Sequence, residues 1–350
     1  MKKRLTTLLA IFVTITMTLG LLVACNGGGD PATEATNGDT EAAADAGERP
    51  IIGVAMDNID EPYWDTALNG IKYMADKLGY ELDIQVAQFD ATMQNRQIDD
   101  FIARGVGAII CAPHDSNAIL SAVRAANEAG IPFIYLDRRI NDEDGAVLDW
   151  GAETDNVALA EQSMQFLADY ARENGIQINL LELVGYLGDQ NSMFRSEGVQ
   201  NAIDNNSDVL SMTLQVPTEG DIERTMTGTV NALQAHPEIN AVFMVSDFFL
   251  EAILSGMKQA ERYVPYGEDG HIYVISFGGS ALSITEIRDG FVFACAAMNP
   301  FGTGSLVVEA AVAFIEGRDP GPVAFDPGFI LHRGNFDEMW EFAFDASSVE

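Results

Sequence analysis

Charged residues follow several apolar segments of this chain, at the points where buried strands would end. Asp57 follows IIGVAM, and Asp137 and Arg138 follow IPFIYL. Arginine is neither a helix-capping nor a turn-forming residue, so Arg138 and the similarly placed Arg195 are candidate ligand-binding groups. Guanidinium and carboxylate groups form strong, charge-assisted hydrogen bonds. This set therefore predicts recognition of a polar ligand.

Two adjacent aromatic residues, Tyr63 and Trp64, stand among carboxylates in the stretch DNIDEPYWDTALNGI. Trp64 has helical spacing to Ala67 and Leu68, which favours a place in the core stripe of a helix. The alternative is that the rings face a ligand, and Tyr63 is the stronger candidate for that role.

Other polar residues at strand ends have a structural interpretation. Asp115, Ser116, Asp155 and Asp247 are good helix N-caps, and capping is the preferred role for these four.

The sequence shows no catalytic arrangement. Asp57 and Asp60 could perform acid–base chemistry in principle, but no nucleophile–base pair, Walker-type phosphate loop or His/Cys metal spacing is present. The segment FGGSALS lacks a GxSxG elbow. The acidic stretches NDEDGAV (141–147) and GEDGHI (267–272) lack the full ligand spacing of a calcium loop. We therefore expect a binding protein that is not an enzyme, with no metal and no cofactor.

Strand-like and helix-like segments alternate along the chain. Repeated βα units predict parallel sheets with helices on both faces. Residues 108–123 and 241–257 share one pattern, a buried strand, a polar turn and an amphipathic helix, which predicts two similar α/β halves. Ligands bind beyond the carboxyl ends of the strands in such sheets. Two sheets with those ends facing each other would enclose a cleft.

The N-terminal region carries targeting signals. Residues 1–24 have a basic start followed by an apolar stretch, as in a secretory signal peptide. The ending LVAC resembles a bacterial lipobox, in which Cys25 becomes the lipid-modified first residue; the alternative is an ordinary signal peptide with a chance Cys. Residues 25–50 are then a lipid-anchored linker without a core of its own. We expect an extracytoplasmic protein anchored to the cell membrane.

The net charge of −34 narrows the range of partners. Nucleic-acid binding requires a basic face, and none is visible. The long-range field also disfavours an anionic ligand. Cys111 and Cys295 lie in apolar, strand-like segments, so buried free thiols are favoured over a disulfide between them.

Taken together, these patterns resemble the type I periplasmic sugar-binding proteins, in particular the ribose-binding and galactose-binding branch. The likeness covers residues 51 to about 335. Its markers are ADKLGYEL, QNRQIDDFIARGVGAIICAPHDSNAI, GIPFIYLDR, AHPEINAVF and NPFGTG. The resemblance implies two α/β lobes joined by three hinge strands, here 51–153 plus 299–327 and 154–298 plus 328–350. It also implies a monomer that closes around one monosaccharide and delivers it to an ABC permease.

The resemblance implies which side chains touch the sugar. Tyr63 and Trp64 match the family's aromatic residues, whose rings cover the C–H faces of a sugar. Asp137 and Arg138 match the first-lobe pair that binds hydroxyls, and Arg195 matches the second-lobe arginine. The complete predicted ligand set is Asp57, Glu61, Tyr63, Trp64, Asp115, Asp137, Arg138, Asn191, Arg195, Ser246, Asp247, Gly278 and Met298.

This chain departs from the family pattern in its second lobe. Gly278 replaces an expected Asp, Ser246 an Asn and Met298 a Gln, while Gly220 stands where an aromatic residue is expected, with no ring near it in sequence. A hydrogen bond to a charged group contributes about 1.5–3 kcal/mol. The missing Asp would therefore weaken a ribose-like ligand by about one to two decades of affinity. Either a neighbour such as Asp247, Asp189, Asn191 or Asn299 replaces it, or the ligand lacks that hydroxyl pattern. The resemblance therefore does not identify the sugar.

Two functions use the same ligand-driven closure. One is the solute receptor of an ABC importer for a pentose or hexose. The alternative is a sensor that presents its closed form to a membrane histidine kinase or chemoreceptor. A transcription repressor is excluded, because the charge is wrong and no helix-turn-helix segment precedes residue 51.

Overall fold

The protein is described by a computed structural model that covers residues 49–140 and 146–345. The predicted signal peptide, the lipobox with Cys25, nearly all of the linker and most of the NDEDGAV segment lie outside the described residues. Among the helices of the described ranges, none has both the length and the hydrophobicity needed to cross a bilayer.

The first sheet has six parallel strands. Its strands are β1 (Ile52–Met56), β2 (Leu82–Val86), β3 (Ala108–Cys111), β4 (Phe133–Leu136), β5 (Trp150–Thr154) and β11 (Ala324–Asp326). They lie in the order β11-β5-β4-β3-β1-β2. The helices that pack on this sheet are α1 (Pro62–Leu78), α2 (Ala91–Arg104), α3 (Leu120–Glu128) and α9 (Pro300–Ile315).

The second sheet repeats this plan. Its strands are β6 (Ile178–Val184), β7 (Leu210–Pro217), β8 (Ala241–Met244), β9 (Tyr273–Gly278), β10 (Ala294–Ala297) and β12 (Phe329–His332). They lie in the order β12-β10-β9-β8-β6-β7, and β12 alone runs antiparallel. The associated helices are α4 (Asn156–Asn174), α5 (Gln190–Asn205), α6 (Ile222–Ala235), α7 (Leu250–Gln259) and α8 (Ala281–Asp289), followed by the short α10 (Phe336–Met339).

Both faces of each sheet are buried, as the alternating pattern predicts. In β3, Ile110 packs in the cluster on the α1 and α9 side, while Ile109 packs with residues of α2 and α3. Cys111 and Cys295 are buried free thiols in different sheets, which confirms the prediction for both. The α/β fold with two parallel-dominated sheets is likewise confirmed.

Local sequence explains why α1 projects from the end of β1. Pro62 occupies the first helical turn, where its missing N–H costs nothing. Gly79 ends the helix in the left-handed conformation with φ 74°. The buried face includes Trp64, Ala67 and Leu68, which confirms the predicted core stripe.

The chain crosses between the two sheets three times, and Asp326 touches all three crossings. Its backbone carbonyl accepts from Asp155 N at 3.1 Å, and its Oδ2 accepts from Asn299 N at 2.7 Å. Its Oδ1 accepts from Gly328 N at 3.1 Å. These bonds tie the three connecting segments together at one place, so the lobes are joined by a hydrogen-bonded hinge.

Candidate functional site

A cavity of about 1180 Å³ lies between the two lobes, where the carboxyl ends of β1, β4, β6, β8 and β10 meet. Eleven members of the predicted ligand set line it: Asp57, Glu61, Tyr63, Trp64, Asp137, Arg138, Asn191, Arg195, Ser246, Asp247 and Met298. Asp115 and Gly278 do not. Both lobes thus contribute polar groups to one shared cleft, as the two-lobe interpretation requires.

Arg138 is the centre of the first-lobe half-site. Its Nη1 donates to Asp57 Oδ2 at 2.6 Å and to the Pro113 carbonyl at 2.9 Å. Its guanidinium also lies over the Trp64 ring, 5.0 Å from the centroid. His114 Nδ1 lies 3.0 Å from Asp57 Oδ1. Burial alone would raise the pKa of Asp57, but His114 and Arg138 together hold it below its usual value.

Arg195 is the corresponding group of the second lobe. Its Nε donates to Asn156 Oδ1 at 2.7 Å, and its Nη1 donates to the Val245 carbonyl at 2.6 Å. The guanidinium stacks on Phe277 at 4.2 Å, and Nη2 lies 3.6 Å from Met298 Sδ. The thioether at 298 is therefore a weak acceptor for the arginine and leaves the guanidinium facing the cleft.

The two half-sites touch directly through Asp137 and Asn191. Asn191 Nδ2 donates to Asp137 Oδ2 at 2.8 Å, and both side chains are buried. Asp137 has φ 63°, a strained backbone conformation for a non-glycine residue. Burial raises the pKa of this carboxyl although Arg195 acts against it. The Tyr63 hydroxyl also acts against the effect of burial on this carboxyl, so Asp137 interacts with Tyr63 and Asn191 in the cleft wall.

A second contact between the lobes explains why Asp115 lies outside the cleft. Its Oδ1 accepts from the backbone N–H groups of Asn117 and Ala118 at 2.9 Å each. Its Oδ2 accepts from the Tyr186 hydroxyl, across the lobes, at 2.8 Å. The carboxylate is thus committed to the turn before α3 and to an interlobe bond, and it is not the N-cap of α3, which is Ile119. Its place in the predicted ligand set is corrected accordingly.

The adjacent aromatic residues Tyr63 and Trp64 have different roles. Trp64 is only 2% exposed and belongs to the core cluster of the first lobe, with one side at the cleft. Tyr63 is partly exposed and packs edge-to-face on Trp64 at 5.0 Å and on Phe344 at 5.9 Å. Burial and the neighbouring Asp137 carboxyl raise the pKa of its hydroxyl well above the usual value. Tyr63 therefore offers a ring to the cleft and places its hydroxyl beside Asp137.

The position of the Asp247 carboxylate explains why residue 278 is a glycine. A Cβ built on Gly278 would lie 2.2 Å from Asp247 Oδ1, and Gly278 has φ 149°. Asp247 Oδ2 accepts from Gly279 N at 2.8 Å and from Ser280 N at 2.7 Å. The carboxylate of residue 247 therefore fills the space that a side chain at 278 would need. Gly278 makes room for this acidic group and lies behind it rather than in the cleft.

Glu61 is another carboxyl group of the cleft wall whose pKa is raised. It lies just before α1 and accepts from Asn58 Nδ2 at 3.3 Å. Burial raises its pKa to about 7 against the opposing effect of Arg138. Glu61 therefore changes charge close to neutral pH.

Sequence reasoning missed several residues of the cleft wall: Phe89, His114, Tyr186, Phe248, Phe249 and Phe344. No aromatic residue is near Gly220 in the sequence, but the fold brings one close, because a Cβ at 220 would lie 3.4 Å from Tyr186 Cβ. The Tyr186 ring stacks on His114 at 5.5 Å. A polar strand end marks His114 in the sequence, but no local pattern marks Tyr186 or Phe344.

Comparison with known proteins agrees with this architecture. A family model of the periplasmic binding protein domain matches residues 52–319. The ribose import binding protein of Bacillus subtilis is 31% identical over 313 residues, covering 88% of this chain and 94% of that protein. The D-apiose import binding protein of Paraburkholderia graminis is 29% identical over 244 residues, covering 69% and 72%.

Solved structures share the fold. A galactofuranose binding protein superposes with a TM-score of 0.75 at 21% identity, covering 84% of this chain and 98% of that one. A binding protein of an arabinose ABC transporter from Shewanella sp. ANA-3, bound to L-arabinofuranose, gives a TM-score of 0.75 at 21% identity, covering 83% and 95%. Because the family model spans well over half of its length, the chain belongs to the periplasmic binding protein family.

Proposed function

We propose that this protein captures a monosaccharide in the cleft between its lobes and delivers it to the permease of an ABC importer. The observation that carries the proposal is the convergence of Arg138 and Arg195, one from each lobe, on a single cavity. The names of the related ribose and D-apiose import proteins support the same ligand class. The protein acts as a monomer and releases its ligand unchanged.

Binding and closure are coupled through the two half-sites. The first lobe supplies Tyr63, Asp137 and Arg138, and the second lobe supplies Arg195 and Asp247. A sugar can satisfy both halves only when the lobes are close together, so it shifts the population toward the closed form. The Asn191–Asp137 hydrogen bond joins the lobes beside the cleft. The permease then distinguishes the closed surface from the open one.

The ligand must match the acceptors that are present. In the second lobe the acidic group is Asp247 instead of a residue at 278. A carboxylate held in place by two backbone N–H groups keeps one oxygen for a hydroxyl donor. We therefore expect a pentose or hexose whose hydroxyl pattern suits this position, and no anionic sugar, because ten carboxylates and only two arginines line the described part of the cleft.

A sugar titration tests the proposal. We expect micromolar or tighter binding of at least one pentose or hexose to the purified 50–350 fragment, with a change in tryptophan fluorescence from Trp64, which lies under Arg138. Trp150 lies outside the cleft and bonds to the Gly321 and Pro322 carbonyls. The Trp150→Phe variant should keep the signal, and Trp64→Phe should lose it.

Calorimetry on the same panel and mass spectrometry of the recovered ligand complete the test. No heat and no fluorescence change across pentoses, hexoses and sugar alcohols would refute the proposal. Recovery of a chemically altered sugar would refute binding without catalysis.

We further propose that Cys25 carries a lipid that holds the protein at the membrane. The support is the basic and apolar start of the chain and the small residues directly before Cys25. Acyl chains contribute about 0.8 kcal/mol per buried CH₂, so a multiply acylated cysteine anchors the protein without a spanning helix. The Cys25→Ser variant should move from the membrane fraction to the soluble extracytoplasmic fraction. Equal membrane association of both proteins would contradict the anchor.

A further inference from the structure

The cleft is larger than the proposed ligand. Pockets of about 300–1,000 Å³ hold drug-sized ligands, whereas this cavity measures about 1180 Å³. A monosaccharide held between Arg138 and Arg195 would fill only its inner, buried section. The rest of the cavity is an outer section with its own chemistry.

The outer section has an apolar wall. It is formed by Ile222, Met226, Phe248, Phe249, Leu282 and Phe344. These side chains are intermediate in exposure, except for Ile222, which is 54% exposed. The rings of Phe248 and Phe249 pack edge-to-face at 5.1 Å. Apolar side chains that remain partly exposed in a cavity gain free energy when an apolar group covers them.

The C-terminal segment is built into this wall. Asp345 Oδ2 accepts from Ala281 N at 2.9 Å, which holds the segment at the start of α8. This anchor places the Phe344 ring 5.9 Å from Tyr63, edge-to-face. Phe344 thus joins the sugar-binding half-site of the first lobe to the apolar wall of the second. We expect a group attached to a sugar at Tyr63 to reach this ring, 5.9 Å away.

The outer section is also acidic. Its carboxylates are Glu219, Asp221, Glu223, Glu251 and Asp345. Both arginines among the described cleft-lining residues belong to the inner section. A negatively charged group would be repelled here, whereas a cationic one would be attracted over a range of about 10 Å at moderate salt.

We propose that the outer section binds an aromatic, neutral or cationic substituent on the sugar, so that the preferred ligand class is an aryl glycoside rather than a free monosaccharide. This inference rests on the proposed function, since it requires the sugar to occupy the inner section. It adds a second subsite with Phe344 and Phe248 as its principal contacts.

Matched glycosides test the subsite. Each pentose and hexose is measured by calorimetry as the free sugar and as its phenyl, 4-(aminomethyl)phenyl and 4-carboxyphenyl glycosides. For the sugar that binds, we expect the phenyl glycoside to bind at least about tenfold tighter than the free sugar. The aminomethyl compound should bind at least about tenfold tighter than the carboxyl compound, and this difference should shrink as salt is added.

The gain in affinity from the phenyl group is the Kd of the free sugar divided by the Kd of its phenyl glycoside. Three variants test which residues produce this ratio. Phe344→Ala and Phe248→Ala should bring this ratio close to one, because each removes a ring of the wall. Phe342→Ala is the matched control: it lies in the same segment, is 68% exposed and does not line the cleft. It should leave the ratio unchanged. Using a ratio cancels any general effect on lobe closure.

The outcomes separate the two proposals. Binding of free sugars with equal or weaker binding of their phenyl glycosides would overturn the subsite alone. A gain that survives both Phe344→Ala and Phe248→Ala would overturn its location. Failure of every free sugar to bind would overturn the proposed function, and failure of the glycosides as well would overturn the subsite with it. Binding of phenyl glycosides alone would support the subsite and exclude free monosaccharides as ligands.

Discussion

Arg138→Met is expected to abolish measurable sugar binding and to lower the free energy of unfolding by about 3–5 kcal/mol. Asp57 is fully buried, and the guanidinium 2.6 Å away is its cationic partner in the cleft. Removing that partner leaves a buried carboxylate beside His114 and the neutral Asn58 amide. It also removes the donor that the sugar hydroxyls require. Urea unfolding and calorimetry measure the two effects separately.

The loss of stability caused by Arg138→Met should become smaller as the pH is lowered. In the wild-type protein His114 and Arg138 hold the pKa of Asp57 below its usual value against the effect of burial, so its contribution is present above about pH 4 and lost as the pH falls further. In the variant, burial without the guanidinium raises this pKa, so a proton is taken up at a higher pH. The difference in unfolding free energy between the two proteins should therefore be largest at neutral pH. It should shrink as the pH falls through the raised pKa of the variant and on to the lowered pKa of the wild type.

Two controls accompany this prediction. The Asp57→Asn/Arg138→Met double variant removes both charges of this pair and should recover much of the lost stability, because the buried carboxylate at 57 is gone. Asp189 Oδ1, 3.4 Å from Arg138 Nε, also loses its partner in both variants, so the recovery should be incomplete. Arg139→Met changes the next residue, which pairs with Glu153 outside the cleft, and should keep sugar binding. A variant at 138 that is as stable as wild type at pH 7 would contradict the role assigned to the Arg138–Asp57 pair.

Gly278→Ala should reduce the unfolding free energy by about 3 kcal/mol or more and abolish sugar binding. The new Cβ would lie 2.2 Å from Asp247 Oδ1, in a backbone conformation with φ 149° that favours glycine. The carboxylate would have to leave the N–H groups of Gly279 and Ser280. Thermal unfolding and the sugar titration measure the outcome.

Gly279→Ala is the matched control. Gly279 has φ 110°, but the nearest atom to its added Cβ is Ala297 Cβ at 3.3 Å. Both variants carry backbone strain, and only the one at 278 displaces Asp247. Combining Gly278→Ala with Asp247→Ala should then cost less than the sum of the single changes. Equal losses at 278 and 279, with additive double variants, would refute the steric link between Gly278 and Asp247.

The elements of this protein are largely determined by local sequence. Pro62 and Gly79 set the ends of α1, and the spacing of Trp64 and Ala67 sets its buried face. Capping, backbone preference and periodicity act over a few residues, so they can be recognised in the sequence alone. Arg138 and Arg195 could also be recognised as cleft residues from the sequence. Each follows a strand, and the strands of a parallel sheet bring their carboxyl ends to one edge of that sheet, where ligands bind.

Only the tertiary structure shows how side chains from distant parts of the sequence are arranged around the cleft. Asp247 fills the space beside Gly278, Tyr186 lies next to Gly220, and Phe344 reaches Tyr63 from the far end of the chain. Asp115 is removed from the cleft by a bond to Tyr186, 71 residues away. These contacts join residues distant in sequence, and their geometry depends on how the lobes pack. Local patterns carry no information about such distances. The fold and the place of the two arginines at the cleft could therefore be predicted from the sequence, but the shape of the cleft could not.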